Sequence, residues 1–346
     1  VRYEIQFWDL ASPGAMELPM DMNNLGQVVG WMNLPDGERH GYLHDAATGA
    51  AVDLHTLYAG PGTAVPEGWR VNSGNGINDD GVIVGKLVEI GNPSGTPSIP
   101  YILDVQGANR IVLLPDFGPP GSTTAYLRIN NNWDILTIYI NANGSYGAYL
   151  YNYQLHLLGT DTPQSVPGPL KSIGNGNISL NNPTSTRAAQ VSGQLADGTP
   201  FRWTSGPDGG LQTFSGLSSP IVRDLNDAGT LCGETTKQGK RYPMRLNTSA
   251  ELLTGAPDHN GQSINYSGDV LLPSTSTNLI FHSQLGYFDL DKLVTGAADD
   301  VAAWLAGAPE LFFLNDRDGT GFGQITGRLP LPDGTRLPFI LQPIAP

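Results

Sequence analysis

The residues best able to do chemistry fall in two groups of loop segments. Glu38-Arg39-His40 places a carboxylate, a guanidinium and an imidazole in succession, and Glu67, Trp69 and Arg70 follow before the next strand pattern. An imidazole held beside a cation or a carboxylate can abstract a proton or attack a glycosidic linkage. The same set can instead hold an anionic sugar by charge-assisted hydrogen bonds and stacking on the indole. The second group joins Lys240 and Arg241 to Asp258 and His259. As solvated loop side chains, all of these would need no ligand at all.

Asn315-Asp316-Arg317-Asp318-Gly319 has the oxygen-rich turn chemistry that suits Ca²⁺, with Asp316 and Asp318 as the candidate ligands. It lacks the downstream bidentate Glu of an EF-hand, so a plain strand turn competes with the metal reading. His44 and His282 lie in apolar strand patterns and read as packing residues. The chain carries no His pair at zinc spacing and no G-x-S-x-G, P-loop or dinucleotide fingerprint.

What positions these loops is a repeat. An aliphatic residue, Asn, two further positions, Gly and an alternating apolar strand recur as Met22-Asn23-Asn24-Leu25-Gly26, Ile77-Asn78-Asp79-Asp80-Gly81 and Leu225-Asn226-Asp227-Ala228-Gly229. Looser copies begin at Ile129-Asn130, Leu180-Asn181, Ile264-Asn265 and Leu314-Asn315, and the first of these puts Trp133 where Gly is expected. The spacing averages about 49 residues, so seven copies consume the chain and leave no room for a second domain over 1–346. Asn tolerates left-handed backbone and bonds its own main chain, while Gly takes positive φ freely, so N-x-x-G marks a hairpin turn.

A second strand follows each turn, as in Gly41-Tyr42-Leu43-His44, Pro100-Tyr101-Ile102-Leu103 and Pro338-Phe339-Ile340-Leu341, with a large residue placed to pack between repeats. A closing strand reads Val52-Asp53-Leu54-His55-Thr56-Leu57 or Phe288-Asp289-Leu290-Asp291. With the apolar segment before each Asn, every repeat has four short antiparallel strands. The expected fold is therefore all-β: a seven-bladed β-propeller of four-stranded blades.

The last repeat, about 310–343, runs out after three strands, and residues 1–10 open on a spare one, Tyr3-Glu4-Ile5-Gln6-Phe7. The N-terminal strand should complete the last blade and close the ring, which removes exposed edges. If N-x-x-G turns join the two innermost strands, they share one face, and the longer connections decorate the other. Those long connections are Tyr58–Gly68, Gly159–Gly176 and Val294–Pro309, the last carrying a helical stretch around Trp304.

Composition supports this. Gly 44 and Pro 27 mark many tight turns, and 39% hydrophobic content supplies a core. A net charge of −14 with no basic stripe argues against nucleic acid. No apolar run reaches membrane-span length. The single Cys232 forbids an intrachain disulfide and reads as a buried hydrophobe.

The order Asn-x-x-Gly-Gln-Val-Val-Gly, then His40-Gly41-Tyr42-Leu43-His44, then Asp53-Leu54-His55-Thr56-Leu57 resembles the HAF repeat of bacterial extracellular repeat proteins. The resemblance is strong in the first two copies and degenerate elsewhere. It implies an exported bacterial propeller, secreted or periplasmic, and brings no established catalytic residues. The expected function is a monomeric, non-catalytic binding propeller for a carbohydrate or protein ligand. The alternative is a propeller lyase or hydrolase acting on an anionic polysaccharide or a small ester at the loop-rich face.

Overall fold

Short apolar strands interrupted at fixed intervals by turn residues make sheets that cannot bury both faces alone, so they stack on copies of themselves. The computed structural model describes residues 2–8, 16–59, 63–92, 97–105, 110–171, 178–182, 188–316, 322–332 and 334–344. It is a ring of seven four-stranded antiparallel blades, a seven-bladed β-propeller. Blade one runs outward from the axis through Met16–Met22, Gln27–Asn33, Arg39–Asp45 and Ala50–Asp53. Blade two follows with Trp69–Ile77, Val82–Glu89, Ser98–Asp104 and Ile111–Leu113. The innermost strands of blades three to six are Thr123–Ile129, Ser179–Leu180, Ile221–Leu225 and Ser263–Ile264.

Blade seven contains Glu310–Leu314, Ile325–Pro330 and Arg336–Ile344, and its fourth strand is the N-terminal Arg2–Phe7. That strand pairs antiparallel from Arg2 opposite Ile344 to Phe7 opposite Phe339. Outside it, Val294–Thr295 adds a short parallel strand. The helix Ala298–Ala306 then buries Trp304, whose Nε1 donates to Asp291 Oδ1 at 3.0 Å and whose ring meets Phe339 edge-on.

The signature residues divide their work differently from the sequence reading. Gly26, Gly81, Gly229 and Gly268 take the left-handed backbone, and none of the seven asparagines does. In blade three Trp133 itself adopts φ 63°, held by an Nε1–H bond to Asp80 Oδ2 at 3.0 Å and by stacking on Tyr153. A different glycine constraint follows several of the turns. A Cβ on Gly85 would lie 2.0 Å from the Ser73 carbonyl oxygen and 2.6 Å from the Tyr101 hydroxyl, which itself donates to that carbonyl at 2.9 Å. Gly30 meets Leu18 and Tyr42 in the same way.

Two expectations about connections need correction. The Asp-Leu-His-Thr-Leu segment does not continue its strand, because Asp53 Oδ1 caps a short helix, Leu54–Tyr58, by accepting from the His55 and Thr56 amides. Asp289 ends its strand likewise before a 3₁₀ turn over Leu290–Lys292. Gly159–Gly176 is not wholly an inter-blade connection either. The outer strand of blade three is Gln164–Ser165, so the preceding helix Tyr153–Leu157 lies between strands of one blade. Those two polar, exposed residues carry no apolar alternation that would mark a strand.

Candidate ligand-binding channel and loop face

The innermost strands enclose an axial cavity of about 760 Å³. Its wall is built by hydrogen bonds that pass from blade to blade in three tiers. The signature asparagines form the middle tier. Asn23 Nδ2 donates to Asn78 O, Asn78 to Asn130 O, Asn130 to Asn181 O, Asn226 to Asn265 O and Asn315 to Asn23 O, at 2.8–3.2 Å. Each Oδ1 meanwhile accepts amides of its own turn, as Asn23 does from Leu25 and Gln27.

The next residue along forms the outermost tier on the turn side. The amides of Asn24, Asp79, Asn131 and Asn182 donate to the side chains of Asp79, Asn131, Asn182 and Asp227, each in the following blade. Tyr266 N donates to Asp316 and Asp316 N to Asn24, so the belt breaks only where Tyr266 offers Asp227 no carboxamide or carboxylate. Two residues before three of the asparagines, the inner tier repeats the device: Asp21 Oδ2 accepts from Ile77 N, Asp224 Oδ2 from Ile264 N and Ser263 Oγ from Leu314 N. Strand bulges at Pro19/Asp21 and Val222/Asp224 turn these side chains along the ring.

The tiers concentrate carboxylates around the axis, and burial makes their charge costly. Burial raises Asp21 to about 6, and it also raises Asp224. Asp227 is raised to about 7, first by burial and then by the neighbouring Asp316, Asp79 and Asp224 charges. A carboxyl whose folded-state pKa is raised stabilises fully below its unfolded value of about 3.8, and that contribution drains away as pH rises toward 7. Asp227→Asn keeps the acceptor for Asn182 and removes the charge. The variant should melt close to the parent at pH 3.5 and well above it at pH 8, measured by calorimetry. Identical melting at both pH values would show that Asp227 carries no such strain.

The loop side of the cavity is lined differently, by Leu18, Arg241, Asp258, Asn260, Gln262, Ser274, Pro309, Glu310 and Pro330. Asp258 holds left-handed backbone at φ 63°, with its amide bonded to Arg241 O at 2.8 Å. Arg241 and Arg223 converge on Glu234 Oε1, at 3.4 and 3.2 Å. Among the described residues, the Asp258 carboxylate and the Gln262 carboxamide make no side-chain hydrogen bond.

Of the residues singled out from sequence, Arg241, Asp258 and Asp316 line the cavity. Arg39, His40 and Arg70 meet at the loop side between blades one and two. His40 Nδ1 lies 2.8 Å from Asp53 Oδ2, joining the two repeat motifs of that blade, and its ring packs against His55. Arg70 is buried and fully engaged, by Glu38, by Arg39 O at 3.1 Å and by Glu89 O at 3.0 Å. The carboxylate partner in this sector is therefore Glu38, and Glu67 stands exposed in the connection. Trp69 is half-buried among the residues packed between blades one and two. His259 is bonded at both nitrogens, to Pro257 O and Thr277 Oγ1, each at 3.0 Å. His44 is stacked on Trp8, and burial lowers it to about 4.

Both oxygens of Asp316 already accept, from Tyr266 N and from Asn24 Nδ2. Asp318 lies outside the described residues, and among those described no cluster of three or more metal-ligating side chains forms. No helix is long and apolar enough to cross a membrane.

The sequence contained the belt and hid it in plain view. The position after the signature Asn reads Asn, Asp, Asn, Asn, Asp, Tyr, Asp around the ring, a bias that would have separated staples from ordinary turn residues.

No family model matches the chain, and no curated protein matches it in sequence. Solved structures do match in shape. A puromycin-hydrolyzing peptidase of Mycobacterium tuberculosis aligns at TM-score 0.55 and 10% identity, over 95% of this chain and 52% of that one. A puromycin hydrolase mutant complexed with PGG aligns at TM-score 0.54 and 12% identity, over 94% and 54%. A chain of the Mitotic Checkpoint Complex aligns at TM-score 0.52 and 15% identity, over 100% and 95%. At such identities the likeness is one of fold, and what these chains share with this one is the β-propeller.

Proposed function

We propose that this chain is an extracellular or periplasmic binding propeller that takes a carbohydrate at the loop-side mouth of its axial channel. The observation that carries the reading is the asymmetry of the cavity. At the turn side its polar groups are consumed in blade-to-blade bonds, while at the loop side Arg241, Asp258, Asn260 and Gln262 face a space of about 760 Å³. That volume is typical of small-ligand sites, and carboxamides and hydroxyls beside proline faces suit a polyhydroxylated ligand. None of the six histidines lines the cavity, which favours binding over a His-dependent lyase or hydrolase.

A thermal-shift screen of oligosaccharides and short peptides, followed by calorimetry on the hits, tests this. Asp258→Ala and Gln262→Ala should each weaken binding, by roughly tenfold for a lost hydrogen bond to ligand. Leu25→Ser, at an exposed position on the turn side, should leave it unchanged. Affinity sensitive to Leu25 and indifferent to Asp258 and Gln262 would overturn the placement. Chemical conversion of the bound sugar would favour the hydrolase or lyase reading instead.

A further inference from the structure

The chain is strongly acidic, yet two half-buried cations toward the loop side, Arg39 and Lys86, have no carboxylate partner among the described residues. Arg39 lies with its guanidinium 3.8 Å from the centroid of the Trp31 ring, and Arg39 Nε donates only a long bond to Asn33 Oδ1 at 3.4 Å. Lys86 Nζ sits 5.8 Å from the centroid of Tyr126. All four side chains are half-buried. The carboxylate nearest in sequence, Glu38, is committed to Arg70 and to the Gly91 amide. Trp31 pairs with Leu18, which lines the channel, and Tyr126 belongs to the innermost strand of blade three. The cations therefore lie on blades one and two, beside the channel wall rather than among the residues that line it, and Tyr126 brings blade three against Lys86.

We propose that Arg39 and Lys86 form a carboxylate subsite beside the channel mouth, and that the glycan bound there is a uronate-bearing one. This rests on the binding function proposed above and names its ligand class. Partly desolvated cations without a counter-charge are unfavourable until an anion arrives, and the Trp31 and Tyr126 rings give a sugar its apolar contact. Burial, with the Arg39 charge second, lowers Lys86 to about 8, and burial lowers Arg39 as well. A bound carboxylate opposes both effects, so binding near pH 8 should draw a proton onto Lys86. The polyhydroxyl-matched lining of the adjoining cavity favours a sugar acid over a peptide C-terminus.

Calorimetry of the full chain with trigalacturonate and with its methyl ester decides the matter. The free acid should bind roughly tenfold or more tightly than the ester, the scale of a charge-assisted hydrogen bond. Lys86→Met and Arg39→Gln should each erase that preference, while Lys86→Arg retains it. Titration in buffers of different ionisation enthalpy should show proton uptake at pH 8 and none at pH 6. Equal affinity for acid and ester, or a preference that survives both charge removals, overturns the subsite. If the ester still binds and Asp258→Ala still weakens it, the glycan-binding function stands without the subsite. If neither sugar binds, both readings fall. A peptide whose affinity depends on a free C-terminal carboxylate, and which displaces the sugar, overturns the ligand class.

Discussion

Asn130→Ala is expected to destabilise the protein by about 3–5 kcal/mol, because it leaves buried backbone and side-chain groups without partners. Asn130 is 1% exposed and makes four bonds: Nδ2 donates to Asp134 Oδ2 and Asn181 O, and Oδ1 accepts from Asn132 N and Asp134 N, at 2.9–3.1 Å. One of these crosses to the next blade, so the loss is felt between blades as well as within the turn. Asn143→Ala is the matched comparison, since Asn143 is exposed and bonds only Ser145 in its own turn. That change should cost less than about 1 kcal/mol. Urea unfolding of the two variants measures the difference through the midpoint. Equal costs would mean that the asparagine tier contributes nothing beyond a turn.

Removing residues 1–8 should have a still larger effect. The segment supplies the fourth strand of blade seven and buries Tyr3, Ile5 and Trp8, with exposures of 0%, 4% and 5%. Burial of each large apolar side chain is worth about 1.5–3 kcal/mol, so the three together approach the whole stability of an ordinary domain. Arg336–Ile344 would also lose its outer partner and present an open edge to other chains. The truncated protein should aggregate on expression or on mild warming, and a peptide of residues 1–8 supplied in trans should restore solubility. A truncated chain that stays monomeric with an unchanged melting temperature would contradict ring closure.

The fold was legible because propeller physics is written redundantly. Most blades repeat Asn, Gly and a buried knob such as Tyr42, Tyr101, Phe201 or Phe339, so a defective copy such as the Trp133 turn does not obscure the period. What the pattern could not give was direction beyond the turn. Asn130 reads as a turn residue from its own hairpin, and its bond to Asn181 O exists only once the ring brings blade four alongside. Asp53 looks like part of a strand, although its carboxylate ends that strand by capping a helix.

The site was less legible for a related reason. Chain proximity placed Glu67 with His40 and Arg70, but the packing of blade one on blade two brings Glu38 to Arg70, and strand pairing within blade one brings Asp53 to His40. Lys86 and Tyr126 carry no motif and meet across two blades, so their pairing has no signal in sequence spacing.

The central claim is that ligand binds at the loop-side channel mouth and that the turn side is structural. Backbone hydrogen exchange on the full chain, with and without saturating trigalacturonate, tests it most directly. Protection should appear in the segments around Arg39, Lys86, Arg241, Asp258–Gln262 and Pro273–Thr275, with the turns at Asn24, Asp79 and Asn131 unchanged. Protection confined to those turns, with the loop-side segments exchanging as before, would contradict the account.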